Sequence, residues 1–222
     1  MNYLNKFLLG ISIISLSCLA KAQEESSTPI SNPPISMEAF VGNRNFSYQM
    51  IINKKLQSLP KFGFFGVTHL QPEWEKPKID DYMVQGNLTY SVIKGIDLSS
   101  GFIMNPIDGI RPSAGIIFSI ANEKILAVLN PRIDLTKNAN FETIGLLEFK
   151  PKLTEKLRLY TRLQGVYKHN IGFDHHSRSY IMLRAGISFK ELTFGAATNF
   201  DWYGPMRINK NNYGGFVSVN LF

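Results

Sequence analysis

The stretch Tyr82-Met83-Val84-Gln85-Gly86-Asn87-Leu88-Thr89-Tyr90 decides the fold. Successive side chains of an extended chain point to opposite sides. Tyr82, Val84, Gly86, Leu88 and Tyr90 therefore share one face, and Met83, Gln85, Asn87 and Thr89 share the other. The apolar face begins and ends with an aromatic ring. Residues 141–149 repeat the plan, with Phe141, Thr143, Gly145, Leu147 and Phe149 set against Glu142, Ile144, Leu146 and Glu148. Three further segments alternate in the same way. Eight steps of about 3.3 Å, tilted by roughly 40°, cover about 20 Å. Alternation of this length predicts half-buried strands.

The N-terminus adds a compartment. Lys6, the apolar stretch Phe7–Leu16 and the small-residue end Ala20-Lys21-Ala22 form a secretory signal, so the mature chain is expected to start at Gln23. Cys18 raises lipidation as an alternative, but Ser15 stands where lipoprotein signals carry Leu. Cleavage after Ala22 removes the only cysteine, and with it any disulfide, thiolate nucleophile or Cys metal site. It also removes Lys6 and Lys21, which lowers the formal net charge of +7 by two. Gln23 to Ile35, with its Ser, Glu and Pro33-Pro34, reads as a flexible periplasmic leader. Beyond it nothing approaches the ~18 apolar residues of a spanning helix. An exported chain of this kind can still cross a membrane by closing a sheet, which bonds every backbone group internally.

Strands are expected near 36–42, 45–56, 61–70, 81–93, 96–105, 111–121, 124–134, 141–150, 156–168, 177–189, 191–202 and 212–222. Tight connections at Gln57–Pro60, Lys94-Gly95, Asn122-Glu123, Thr154-Glu155 and Lys190 alternate with mostly longer, polar ones at Gln71–Asp80, Pro106–Ile110, Leu135–Asn140, His169–His176 and Tyr203–Asn211. Splitting Ser36–Leu56 at Asn43-Arg44 makes the count twelve, and an even count returns both ends to one side. Ten strands is the fallback. The expected fold is all-β, an antiparallel transmembrane β-barrel occupying residues 36–222.

This plan resembles the small outer-membrane β-barrel proteins of Gram-negative envelopes, whose apolar band is ~25 Å tall and edged by aromatic girdles. The terminal Phe222 is similar to the C-terminal aromatic that the barrel-insertion machinery reads. Its register is one residue out, because Asn220, Ser218, Phe216 and Gly214 share its parity while Leu221, Val219, Val217 and Tyr213 form the apolar row. A lipocalin-like soluble barrel would hold the same apolar row inside. Aromatic ends, Gly and Thr within the apolar rows and alternation carried through to Phe222 favour the membrane form. The implied partners are membrane lipids and lipopolysaccharide, and the implied location is the outer membrane.

With polar faces inward, Arg158, Arg162, Arg178 and Arg184 form a basic wall on two adjacent strands, near Glu142, Glu148, Arg132, Arg111, Asp97 and Asp134. Two readings fit this array. In one, arginines and glutamates satisfy one another and plug a structural or accessory barrel. In the other, guanidinium groups replace the hydration of small anionic solutes in a narrow passive channel. The size and lumen character resemble small porins that admit acidic oligosaccharides.

A third reading places chemistry at the rim, as in outer-membrane phospholipases, lipid A deacylases and omptin-type proteases. His175 or His176 with Ser177, joined by Asp80 or Asp201 from other loops, supplies the residue types for a base, a nucleophile and an orienting carboxylate. His69, His169, Asp81 and Asp174 lie in the same region. No third ligand stands at motif spacing beside His175 and His176, so no metal or other cofactor is expected. There is no phosphate-cradling Gly loop, and the basic residues are too dispersed for nucleic acid. The passive channel is the leading expectation, with the plugged barrel and the rim hydrolase as alternatives.

Overall fold

Antiparallel pairing runs without a break around the whole molecule. The computed structural model describes residues 32–76 and 78–221. Its strands are β1 (Ile35–Gly42), β2 (Phe46–Leu56), β3 (Leu59–Leu70), β4 (Tyr82–Ile93), β5 (Ile96–Asn105), β6 (Gly109–Ala121), β7 (Ile125–Asp134), β8 (Asn140–Phe149), β9 (Leu157–Asn170), β10 (His175–Phe189), β11 (Leu192–Tyr203), the two-residue β12 (Ile208–Asn209) and β13 (Asn212–Leu221). Each long strand pairs with its sequence neighbour, β11 pairs with β13, and β13 pairs with β1. The ring therefore closes on twelve staves and leaves no open edge. The expected twelve strands and the break at Asn43-Arg44 are both present. β12 is a short addition to the last loop, pairing Trp202 and Tyr203 of β11 with Asn209 and Ile208. The signal segment, Cys18, most of the leader and Phe222 lie outside the described residues.

Hairpins at one end are tight. Lys94-Gly95 and Lys190-Glu191 turn in two residues, with Gly95 at φ 83° and Lys190 at φ 52°. Positive φ is what a two-residue hairpin matched to strand twist requires. The other end carries the longer Gln71–Asp81 and Gly204–Asn211 connections.

Side-chain direction follows the alternation read from the sequence. Leu88 is 70% exposed, while Gln85, Asn87 and Thr89 of the same strand are buried. Leu147, Leu163 and Leu183, register partners across β8, β9 and β10, all face outward. Exposed Phe62, Tyr90, Phe118, Phe149, Phe189 and Phe194 ring the tight-turn end, and exposed Phe102, Phe141, Tyr167 and Tyr213 ring the loop end. Phe62 and Tyr90 pack edge to face at 5.1 Å. Apolar outside and polar inside is the distribution a barrel needs in a bilayer, with aromatic rings at both interfaces.

The closing seam has its own device. A Cβ on Gly42 would come within 2.1 Å of the Asn212 side chain. That side chain is fully buried and spends its groups on the β1–β2 turn. Its Oδ1 accepts from the Arg44 backbone N–H at 2.8 Å, and its Nδ2 donates to Asn45 O at 3.1 Å. The β13–β1 pairing carries no bulge, so the offset parity of the last strand is real: Phe216 and Ser218 point inward and Val217 outward.

Candidate functional site in the lumen

The inward rows bring charges from distant strands together. At mid-barrel, Glu38 of β1 accepts from Arg162 Nη2 of β9 at 2.6 Å and from Arg184 Nε of β10 at 2.9 Å. All three are nearly inaccessible. Arg184 also donates to Asn199 Oδ1 at 2.9 Å, and its guanidinium lies 4.9 Å from the Phe40 ring centroid. Phe40, Phe216, Tyr160 and Ala197 form a buried cluster around it. One side of the lumen, from β9 through β13 to β1, is therefore packed with rings and a carboxylate shared by two guanidiniums.

Other sequence-identified residues are also partnered. Arg132 pairs with Glu142. Glu148 accepts from the Tyr160 hydroxyl at 2.8 Å and from Lys150 at 2.7 Å. Arg158 lies at the tight-turn end and donates to the Glu123 carbonyl at 3.1 Å. The four arginines thus lie at three levels, and only Arg162 and Arg184 converge on one group.

Toward the loops, Arg178 is a hub. It grips Asp201 with two bonds, at 3.0 and 3.1 Å, and reaches Asp81 at 2.9 Å and the Tyr203 hydroxyl at 2.8 Å. Its guanidinium also lies 4.5 Å from the Tyr203 ring centroid. Burial alone would raise the Asp81 carboxyl, yet Arg178 and the Tyr203 hydroxyl hold it below its ordinary value. Asp108 is likewise held low despite its burial, because Lys168 bonds it at 2.5 Å with Asn105 and Arg111 close by. On the long loop, Glu73 binds Lys210 at 2.8 Å, and its carboxyl is held down against partial burial. These contacts tie the loops to the barrel mouth.

Two cavities enter the lumen. A loop-side one of about 570 Å³ is lined by Asp81, Asp108, Arg111, Lys168, Arg178 and Tyr203, among others. A second, of about 270 Å³, rises from the tight-turn end past Pro33, Pro34, Glu148 and Lys150. Both have Met83 and Tyr180 in their walls. Neither is lined by Arg162 or Arg184. Residues 32–34, just ahead of β1, stand at the tight-turn mouth, where the Asn32 side chain bonds both the N–H and the C=O of Lys55 at 2.6 and 3.1 Å.

The rim residues do not assemble as one group. Asp80 pairs with Lys76 on the exposed loop, where that contact leads the lowering of its carboxyl, and Asp201 is fully committed to Arg178. His175 stacks on Phe173 at 6.1 Å. Ser177 is the unpaired residue at the register shift between His176 and Arg178, and its carbonyl accepts from the Gly204 N–H at 2.8 Å. His176 instead meets Ser179, with Nε2 3.0 Å from Oγ and Nδ1 2.7 Å from the Gly204 carbonyl. Among the described residues, no group of three His, Cys, Asp or Glu is placed to hold a metal.

Glu38, Phe40, Phe216, Tyr160, Tyr203 and Ser179 were not singled out from sequence as site residues. Parity puts Glu38 inward, facing the same lumen as the arginines, and that was the available signal. No comparable signal pairs Ser179 with His176, because the bulge between them brings His176 to the face that Ser179 takes by parity.

No protein-family model matches this sequence, and no curated protein matches it. Among solved structures the chain is similar to the NanC porin, with TM-score 0.47 and 10% identity over 86% of this chain and 100% of that one. It is also similar to the KdgM porin, at 0.43 and 11% over 85% and 99%. LpxR from Salmonella typhimurium overlaps at 0.38 and 7%, over 85% and 99%. Overlap of this extent carries no information about ligand or chemistry.

Proposed function

We propose that the protein is a narrow outer-membrane channel for passive passage of small solutes, with a modest preference for anions. The observation that carries this reading is the pair of cavities entering from opposite ends and sharing Met83 and Tyr180 in their walls. The route runs beside the packed wall, along the side formed chiefly by β2 to β8. The exterior apolar belt would meet lipid and, in the outer leaflet, lipopolysaccharide.

Charge preference rests on the Glu38 triad. At the loop-side mouth Arg111, Lys168, Arg178 and Lys210 face Asp80, Asp81, Asp108 and Glu142, so that end is balanced. One carboxylate between Arg162 and Arg184 leaves one guanidinium uncompensated at mid-barrel. Reversal potentials in planar bilayers under a salt gradient test this. The expected sign is that of anion preference, abolished in Arg184→Gln, which leaves a neutral Arg162–Glu38 pair. Bilayers that stay silent with folded protein overturn the channel and favour the plugged barrel.

A second reading, a rim ester hydrolase, is supported by the His176–Ser179 contact. A carbonyl only accepts, so Gly204 holds the ring proton on Nδ1 and leaves Nε2 to take the Ser179 proton. Fluorophosphonate labelling that is lost in Ser179→Ala is the expected mark of this activity. Absence of labelling ends it.

A further inference from the structure

The register shift in β10 turns a serine–histidine pair to the outside of the barrel. In a regular strand residues three apart point to opposite faces. With Ser177 unpaired between His176 and Arg178, His176 takes the outward face, which Ser179 holds by parity. His175, Ser177, Arg178 and Tyr180 line the loop-side cavity, and neither His176 nor Ser179 does. Ser179 lies instead between its register partners Tyr167 and Trp202, and the Tyr167 ring is 6.0 Å from that of His176. Gly204 sets the pair in place. Its N–H donates to the Ser177 carbonyl at 2.8 Å, and its own carbonyl accepts from His176 Nδ1 at 2.7 Å. Nε2 is then the acceptor that faces Ser179 Oγ, 3.0 Å away.

The height of the pair matches that of a lipid ester. Along β10, Ser179 stands ten residues from Phe189 of the tight-turn aromatic ring. Ten steps of about 3.3 Å, tilted by roughly 40°, rise about 25 Å. That is the full height of the ~25 Å apolar band, so Ser179 lies at its far edge, where headgroups give way to acyl chains. Below it the outer wall is apolar and indented. Ile181 and Leu183 are exposed, and Gly165, the partner of Ile181, lies beside Gly145 of β8. A Cβ on Gly165 would meet nothing nearer than 3.5 Å, and one on Gly145 nothing nearer than 3.9 Å. Packing requires glycine at neither place, unlike Gly186, where a Cβ would run into the Phe194 carbonyl. The two leave a shallow depression below Tyr167 that an acyl chain can enter.

We infer that His176 and Ser179 hydrolyse a fatty-acyl ester of a membrane lipid, which reaches them from the bilayer and not from the lumen. This rests on the ester-hydrolase reading, whose substrate class it names, and is independent of the channel. The acyl chain lies down the wall over Gly165 and Gly145, which brings the ester carbonyl to Ser179. As Oγ bonds the carbonyl carbon, its proton passes to His176 Nε2. The bond from that carbon to the lipid's alkoxy oxygen breaks, and the oxygen leaves with the proton from Nε2. Water then attacks the acyl-Ser179 carbonyl and gives a proton to Nε2, which returns it to Oγ as Ser179 departs. One ester and one water become a fatty acid and an alcohol. The Gly204 carbonyl is a positioning group that keeps the other ring proton on Nδ1 throughout.

The test uses refolded full-length protein in detergent micelles that carry the lipid, with released fatty acid measured by mass spectrometry. The probes are a diacyl phosphatidylethanolamine and lipopolysaccharide, with p-nitrophenyl acetate as a water-soluble ester. Acid released from either lipid supports the inference, and the lipid that yields it names the source. Ser179→Ala and His176→Ala are each expected to lower the release at least about a hundredfold while the barrel keeps its heat-modifiable gel migration. Gly165→Phe, which fills the depression, is expected to shift the preference from lipid toward p-nitrophenyl acetate by about tenfold. Acetate cleavage that depends on Ser179, with no acid from either lipid, leaves the ester hydrolase standing and overturns the lipid substrate. No cleavage of any probe removes both. Release that survives Ser179→Ala, or a preference unmoved by Gly165→Phe, also overturns the inference. Conductance plays no part in the readout, so the channel stands or falls separately.

Discussion

Replacing Glu38 by Gln tests whether the charged group at mid-barrel is a structural crossbeam or a hydrated lining. In the native chain its two oxygens accept from Arg162 at 2.6 Å and Arg184 at 2.9 Å, and both arginine side chains are almost wholly inaccessible. Exposed ion pairs contribute ~0–1 kcal/mol, whereas removing one partner of a buried pair costs about 3–5 kcal/mol because the remaining charge is stranded. Here two guanidiniums would be stranded at once, although Arg184 keeps its bonds to Asn199 and to the Leu183 carbonyl and its place over Phe40. The expected loss is therefore about 3 kcal/mol, toward the lower end of that range. Urea unfolding in lipid vesicles, followed by heat-modifiable migration and tryptophan fluorescence, measures it. Replacing all three charges with Leu, Met and Met is expected to recover most of the loss, since an apolar trio of similar volume strands nothing. A change below about 0.5 kcal/mol in Glu38→Gln would refute the crossbeam, since surface substitutions fall in that range.

Three further outcomes follow from the same structure. Leu163→Arg puts a charge among Leu147 and Leu183 on the outer wall, at a cost of about 2–4 kcal/mol near the bilayer midplane; an unchanged urea midpoint would place that wall in water. Gly42→Val drives a side chain into the space that Asn212 fills, so the closing β13–β1 seam should weaken, read as early loss of hydrogen-exchange protection in those two strands and not in β5 or β6. For Asp81 and Asp108, whose carboxyls are held below the ordinary 3.8, the loop contacts contribute stability that is complete above that value and is lost as pH falls through the lowered one. Loop protection should therefore be flat from pH 7 to pH 5 and fall below pH 3.8; loss already between pH 7 and pH 5 would assign the closure to other groups.

The wall of this barrel was legible because its physics is local. Tyr82–Tyr90 and Phe141–Phe149 state their faces in a period of two, and the break at Asn43-Arg44 restores an even strand count. The lumen was legible only in part. Period two says which side of the wall a residue takes; it says nothing of which residue it meets across the axis. Arg162 and Glu38 lie 124 positions apart in the chain, and no spacing connects them. Rings mislead for a related reason: Phe40 and Phe216 face inward, where parity is obeyed but an amide is the usual occupant. His176 was named, but its partner escaped, because the shifted register next to it turns its ring toward Ser179 and not toward Ser177. The apolar lining of the smaller cavity escaped because Met83, Ile144 and Leu146 were read as members of polar rows, when in three dimensions they join Phe65, Val67 and Ile117 around it.

The division of the lumen into a packed half and a hollow half also bounds how selective a channel of this build can be. Arg162 and Arg184 line neither cavity, so their excess charge acts on a passing ion through intervening side chains. A unit charge about 8 Å from an ion contributes ~0.5 kcal/mol in water and ~2 kcal/mol at an effective dielectric of ~20. Water along the passage keeps the value near the lower figure, and salt screens it further. That supplies a preference of a few-fold, not exclusion of cations, and exclusion would need guanidiniums in the path itself. Placing the ionic group in the packed half has a separate consequence. There it cross-links β1 to β9 and β10 on either side of the closing seam, where shape and hydrogen bonds can satisfy it. The hollow half is left to discriminate by size and apolar contact, a kind of selection on which net charge has little purchase.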